Sequence, residues 1–97
     1  MFLVTNSTYP LTSGDQMTEK FQKAPALPSF LKRMHMLTTA GDEGIVILGI
    51  YQVDDDKVAD GIRALTKYYV QYHDVEGFRY TVETMLAVEE AIPLTRR

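Results

Sequence analysis

The run Ile45-Val46-Ile47-Leu48-Gly49-Ile50 constrains this chain more than any other feature. Side chains alternate across a strand, so Ile45 and Ile47 point one way while Val46, Leu48 and Ile50 point the other. A strand with one wet face alternates apolar with polar residues; a run that is apolar on both sides needs cover on both. Each aliphatic side chain taken out of water is worth about 1.5–3 kcal/mol, on the scale of a whole domain's stability. The chain has 97 residues, 45 % of them hydrophobic. That suffices for one core and one domain, residues 1–97, and not for two.

The remaining segments frame that strand. Phe2 to Thr8 reads as a first strand, β-branched and aromatic, ending at Tyr9-Pro10. A helix follows: Thr12 or Ser13 can cap it, Ser13-Gly14-Asp15-Gln16 has capping-box spacing, and Met17, Phe21 and Ala24 recur at helical intervals. Glu19 and Lys23 pair across one turn, and Pro25 stops the helix. Ala26 to Lys32 reads either as a short helix begun at Pro28 or as a loop packing Phe30 on the core. Arg33 to Thr39 is an edge strand. The turn Ala40-Gly41-Asp42-Glu43-Gly44 joins it to the strand Ile45 to Val53, with positive φ expected at Gly41 and Gly44. Asp54-Asp55-Asp56 opens a long helix to about Tyr72, on which Val58, Ile62, Leu65, Tyr69 and Tyr72 form an apolar stripe. The last strand, Phe78 to about Ala87, puts Phe78, Tyr80, Val82 and Leu86 on one face and Arg79, Thr81, Glu83 and Met85 on the other. Val88 to Ile92 adds one helical turn closed by Pro93, before a frayed tail, Thr95-Arg96-Arg97.

Strand, helix, strand, strand, helix, strand is the element order of the ferredoxin-like βαββαβ fold. This is an α+β arrangement with a four-stranded antiparallel sheet, its first and third strands central and two helices on one face. Two helices cover one side of the ribbon at 45–50 and leave the other bare. The simplest cover is a second copy of the same sheet in an isologous homodimer. The alternative is that Ala26 to Lys32 and the tail fold over the open face. Element order, length and the Asp74-Val75-Glu76-Gly77-Phe78 turn before the last strand resemble the dimeric α/β-barrel superfamily. That group includes antibiotic-biosynthesis-type monooxygenases, muconolactone-isomerase-like proteins and stress-responsive barrel proteins. The resemblance implies two sheets facing each other around a space for a small organic ligand, and it assigns no residue a role.

Charge and composition narrow the partners. A net charge of -3 argues against a surface that neutralises phosphates, so no nucleic acid is expected. No apolar run nears the roughly 20 residues that span a bilayer, so no membrane is expected either. Cysteine is absent, which removes disulfides, thiolate metal sites and thiol nucleophiles. Neither histidine has metal-ligand spacing, and neither a metal nor a cofactor is expected. The first residues lack a signal peptide's basic start and long apolar stretch, giving a cytoplasmic expectation.

Four residues are candidates for binding a ligand. His35 changes charge near neutral pH; with a four-residue hairpin loop it shares a face with Val46, Leu48 and Ile50, and a one-residue slip reverses that. Tyr51 lies on the face of Gly49, whose missing side chain leaves room for a ligand or a close helix. Asn6 is polar in a central strand, and either bonds within the core or points into a cavity. Arg79 can hold a carboxylate or phenolate if its face lines a dimer cleft. Of the tyrosines on the long helix, Tyr69 and Tyr72 read as core and Tyr68 as the edge of a contact surface; His73 reads as a helix-end residue. The functional expectation is a small homodimer binding a small organic ligand between its sheets. The alternative is a cofactor-independent monooxygenase or isomerase, in which His35 with Tyr51, Asn6 or Arg79 polarises the substrate. A third reading, a regulatory module of the ACT kind, shares the element order.

Overall fold

The strand that is apolar on both sides runs over Gly44–Gln52 (β3) and takes a central position. In the computed structural model, which describes residues 1–95, it pairs with Phe2–Tyr9 (β1) on one side and Lys32–Gly41 (β2) on the other. Strand β1 pairs in turn with Arg79–Met85 (β4), and every pairing is antiparallel. The order β2-β3-β1-β4 places β1 and β3 in the middle, as expected. Helices Gly14–Lys23 (α1), Val58–Val70 (α2) and Val88–Thr95 (α3) complete an α+β fold compatible with the ferredoxin-like arrangement. Arg96 and Arg97 of the expected frayed tail lie outside the described residues, and α3 extends to Thr95.

Helix α1 starts differently from the capping box expected of it. A 3-10 turn, Leu11–Ser13, closes first on the Pro10 carbonyl. The Ser13 hydroxyl makes no cap; it donates to the Glu76 carbonyl at 2.9 Å and ties the helix start to the turn before β4. Lys20 fastens the other end, donating to the Gln71 carbonyl at 2.9 Å and pairing with Asp74 at 2.7 Å. Glu19 and Lys23 pair at 2.9 Å as expected. The helix stops where Ala24, next to Pro25, turns to the extended region (φ -66°, ψ 138°). No helix forms over 26–31; the segment is a loop whose Phe30 packs partly buried against the core, as the second reading expected, with Leu31 buried beside it.

Helix α2 follows a 3-10 turn at Asp55–Lys57 and buries the expected stripe, with Leu65, Tyr69 and Tyr72 in the core. Gly61 lets it lie close on the sheet: a Cβ there would stand 2.7 Å from Leu3 Cδ1 and 3.2 Å from Leu31 Cδ2. The core is largely aromatic. The Tyr69 ring stacks on Tyr80 with centroids 5.2 Å apart, and Tyr72 sits 5.2 Å from Phe78 and 5.5 Å from Phe21. Helix α3 runs past the stop expected at Pro93. The bond that proline removes is to the Glu89 carbonyl in the exposed first turn, where water can replace it.

Helix α2 lies over β1 and β4, and all ten residues of β2 are exposed. The Cα radius of gyration is accordingly 15.0 Å, against about 12 Å for a compact chain of this length.

In the hairpin, Gly41 faces Gly44 across Asp42-Glu43. Only Gly44 takes positive φ (125°); the expectation for Gly41 fails because its side of the turn stays in strand geometry. A Cβ on Gly44 would also collide with the Tyr9 carbonyl, while one on Gly41 meets nothing within 4 Å. Gly44→Ala is therefore expected to cost about 2 kcal/mol or more in urea unfolding, and Gly41→Ala to stay within about 0.5 kcal/mol of the parent.

Candidate functional site

The register defines the sheet face away from α1 and α2. Its successive rows across β2, β3, β1 and β4 are Thr39-Val46-Thr8-Arg79, Leu37-Leu48-Asn6-Thr81 and His35-Ile50-Val4-Glu83. The loop has two residues rather than four, which keeps the same parity, so His35 does share a face with Val46, Leu48 and Ile50. The result is an apolar carpet with polar margins. Val4, Val46, Leu48 and Ile50 remain half-buried, and Leu37 is 53 % exposed. The segment expected as a possible self-cover lies on the opposite side, with Leu31 near Gly61. Ala91 of α3 lies at the end of the sheet, beside Met1, Met85 and Leu86.

Three of the four candidate residues lie on this open face. Asn6 is exposed at its centre, so it neither bonds in the core nor enters a cavity of its own subunit. His35 is on the β2 edge and Arg79 on the β4 edge. Three strand spacings, roughly 14 Å, separate these edges, and one subunit does not bring the two side chains together. Tyr51 is on the other face, 1 % exposed. The space beside Gly49 is already taken: a Cβ there would lie 2.6 Å from Thr5 Oγ1 and 3.1 Å from Tyr51 Cε2. Burial raises the pKa of the Tyr51 hydroxyl; the Arg33 guanidinium, 5.8 Å from its ring centroid, opposes that rise.

The helix side of the sheet holds a cleft of about 600 Å³. Ser7, Ile47 and Thr38 form one register row of its floor, with Met36 beside them. Phe21, Tyr68 and Tyr69 of the helices and residues 24–27 wall it, and Arg33 stands at its rim. Sequence reasoning did not single out Arg33 or Ser7. The available signal was the buried face of β1, Leu3-Thr5-Ser7-Tyr9, in which two hydroxyls replace aliphatic side chains. Thr5 accepts a hydrogen bond from the Tyr69 hydroxyl at 3.1 Å. Burial pushes the Tyr69 phenol up to about 12, despite the Thr5 bond acting the other way. Tyr72 is raised too, by burial and by its hydrogen bond to the Tyr68 hydroxyl at 3.1 Å. These phenols therefore serve as neutral hydrogen-bonding groups at ordinary pH and not as bases.

His73 closes on its own helix end, with Nδ1 2.9 Å from the Val70 carbonyl. Among the described residues no group of three or more histidines, aspartates or glutamates is placed to hold a metal ion. No helix among them is long and apolar enough to cross a membrane. Comparison of the chain with known protein families, with curated proteins and with solved structures finds no match in any of the three.

The buried phenols give the fold an alkaline limit. The native state keeps the Tyr69 proton between the ordinary phenol value of 10.0 and about 12, where an unfolded chain has lost it. Stability should be intact below about pH 10 and fall as pH rises towards 12, by up to about 1.4 kcal/mol per pH unit for each such tyrosine. Urea unfolding across that range should show this slope, and Tyr69→Phe should make it shallower while Tyr72 keeps it from vanishing.

Proposed function

We propose that the chain acts as a homodimer whose two copies close their open sheet faces on each other in a dimeric α/β barrel, and that this dimer binds a small organic ligand. The observation that supports this reading is the carpet of Val4, Leu37, Val46, Leu48 and Ile50, uncovered by any described part of the chain and edged by polar side chains. A mainly apolar patch edged by polar side chains has the composition of a protein interface, and an isologous contact needs only one such patch. Asn6 at the centre and His35 and Arg79 at the margins are the polar groups a ligand between the sheets would meet.

Binding fits better than catalysis. The monooxygenase or isomerase alternative requires His35 to act with Tyr51, Asn6 or Arg79. Tyr51 is on the far side of the sheet, His35 and Arg79 occupy opposite edges, and Asn6 sits two strands from His35 in the neighbouring row. Ligand binding requires no such grouping within a subunit.

Light scattering at micromolar concentration is expected to give twice the 11.0 kDa chain mass, and native mass spectrometry a dimer retaining a small organic molecule. Leu48→Asp should give the single-chain mass with unchanged far-ultraviolet circular dichroism, because its side chain is partly exposed in one subunit. A parent protein that stays at the single-chain mass refutes the dimer, and a dimer that carries no small molecule refutes the ligand.

A further inference from the structure

We infer that the cleft between the helices and the sheet, beside Arg33, is a binding site for a small aromatic carboxylic acid. It lies on the opposite side of the sheet from the proposed dimer face and stands whether or not the dimer forms.

Three features define the ligand. The first is the space: about 600 Å³, within the range of roughly 300–1,000 Å³ typical of small-molecule sites. Its walls carry aromatic and apolar side chains, Phe21 and Tyr68 from the helices and Ile47 and Met36 from the sheet. Such walls accept a planar ring system.

The second is a single cation at the rim. The exposed Arg33 guanidinium rests over the Tyr51 ring, which positions it, and it has no salt bridge among the described residues. A guanidinium fork matches a carboxylate in two parallel hydrogen bonds. No second cation lines the cleft, which favours one carboxylate over a phosphate dianion.

The third is a polar atom at the other end. Ser7 is 2 % exposed and lines the cleft, so its hydroxyl is a polar group on the floor. Arg33 is on β2 and Ser7 on β1, with β3 between them.

The test is a titration with 2-naphthoate, with its neutral amide, 2-naphthamide, as the control. Binding of the acid should saturate, with amide chemical-shift changes at Ser7, Met36, Ile47 and Tyr68 and none at Val4, Leu48 or Ile50. Arg33→Gln, at an exposed position, should weaken the acid about tenfold or more and leave the amide unchanged. Met36→Trp, which fills the cleft from an exposed strand position, should abolish binding of both with circular dichroism unaltered. Failure of 2-naphthoate to saturate, equal loss of acid and amide in Arg33→Gln, or shifts confined to the open face would each overturn the inference. The chain mass measured on the same samples separates the two readings. A monomer that binds 2-naphthoate sinks only the dimer, and a dimer that does not bind it sinks only this site.

Discussion

The structure depends on one strand, β3, having no face that tolerates water. Ile45 and Ile47 pack towards the helices while Val46, Leu48 and Ile50 point away. Hydrogen bonding to β1 and β2 satisfies its backbone from both sides, so it cannot lie at an edge. A chain of this length has only enough helix for one side. That imbalance leaves the apolar carpet without helix cover.

The helix layer is also unevenly placed. Gly61 brings α2 down onto Leu3, and the Tyr69 hydroxyl meets Thr5, so α2 settles over β1 and β4. Aromatic rings from α2, α1 and the start of β4 then fill the core, stacked where aliphatic side chains would interdigitate. Small residues on β1, Thr5 and Ser7, make room for them. The same shift leaves the helix-facing side of β2 without a roof, and the cleft is that missing roof. The cleft and the carpet thus have one cause: too little helix for a sheet apolar on both faces.

Local periodicity made much of this legible in the sequence. The two faces of β4, the stripe on α2, the helix stop before Pro25 and the face of His35 follow from side-chain geometry within a few residues. What local patterns could not show lies between distant segments. Ser13 looks like a helix cap, but its hydroxyl goes to Glu76, 63 residues away. Asn6 stood out as the anomalous polar residue of β1, yet it is exposed, and the buried anomalies are its neighbours Thr5 and Ser7. The cleft needs β1, β2, the 24–27 segment and α2 together, and an arginine at the start of an edge strand carries no mark of that company.

A single extra residue in β2 connects the two faces. Along most of the hairpin, residue pairs follow one register, from Gly41 with Gly44 to His35 with Ile50. Continued without a break, that register would put Arg33 opposite Gln52, on the open face beside His35. It shifts between Arg33 and His35, and Arg33 pairs instead with Tyr51, on the helix side. Bulges re-aim side chains in this way. Here the bulge at Met34 turns the Arg33 guanidinium to the helix side, over an aromatic ring at the mouth of the cleft, and Lys32 takes the open-face place opposite Gln52. Residues two apart on one strand thereby serve opposite sides of the sheet, His35 at the margin of the carpet and Arg33 at the rim of the cavity.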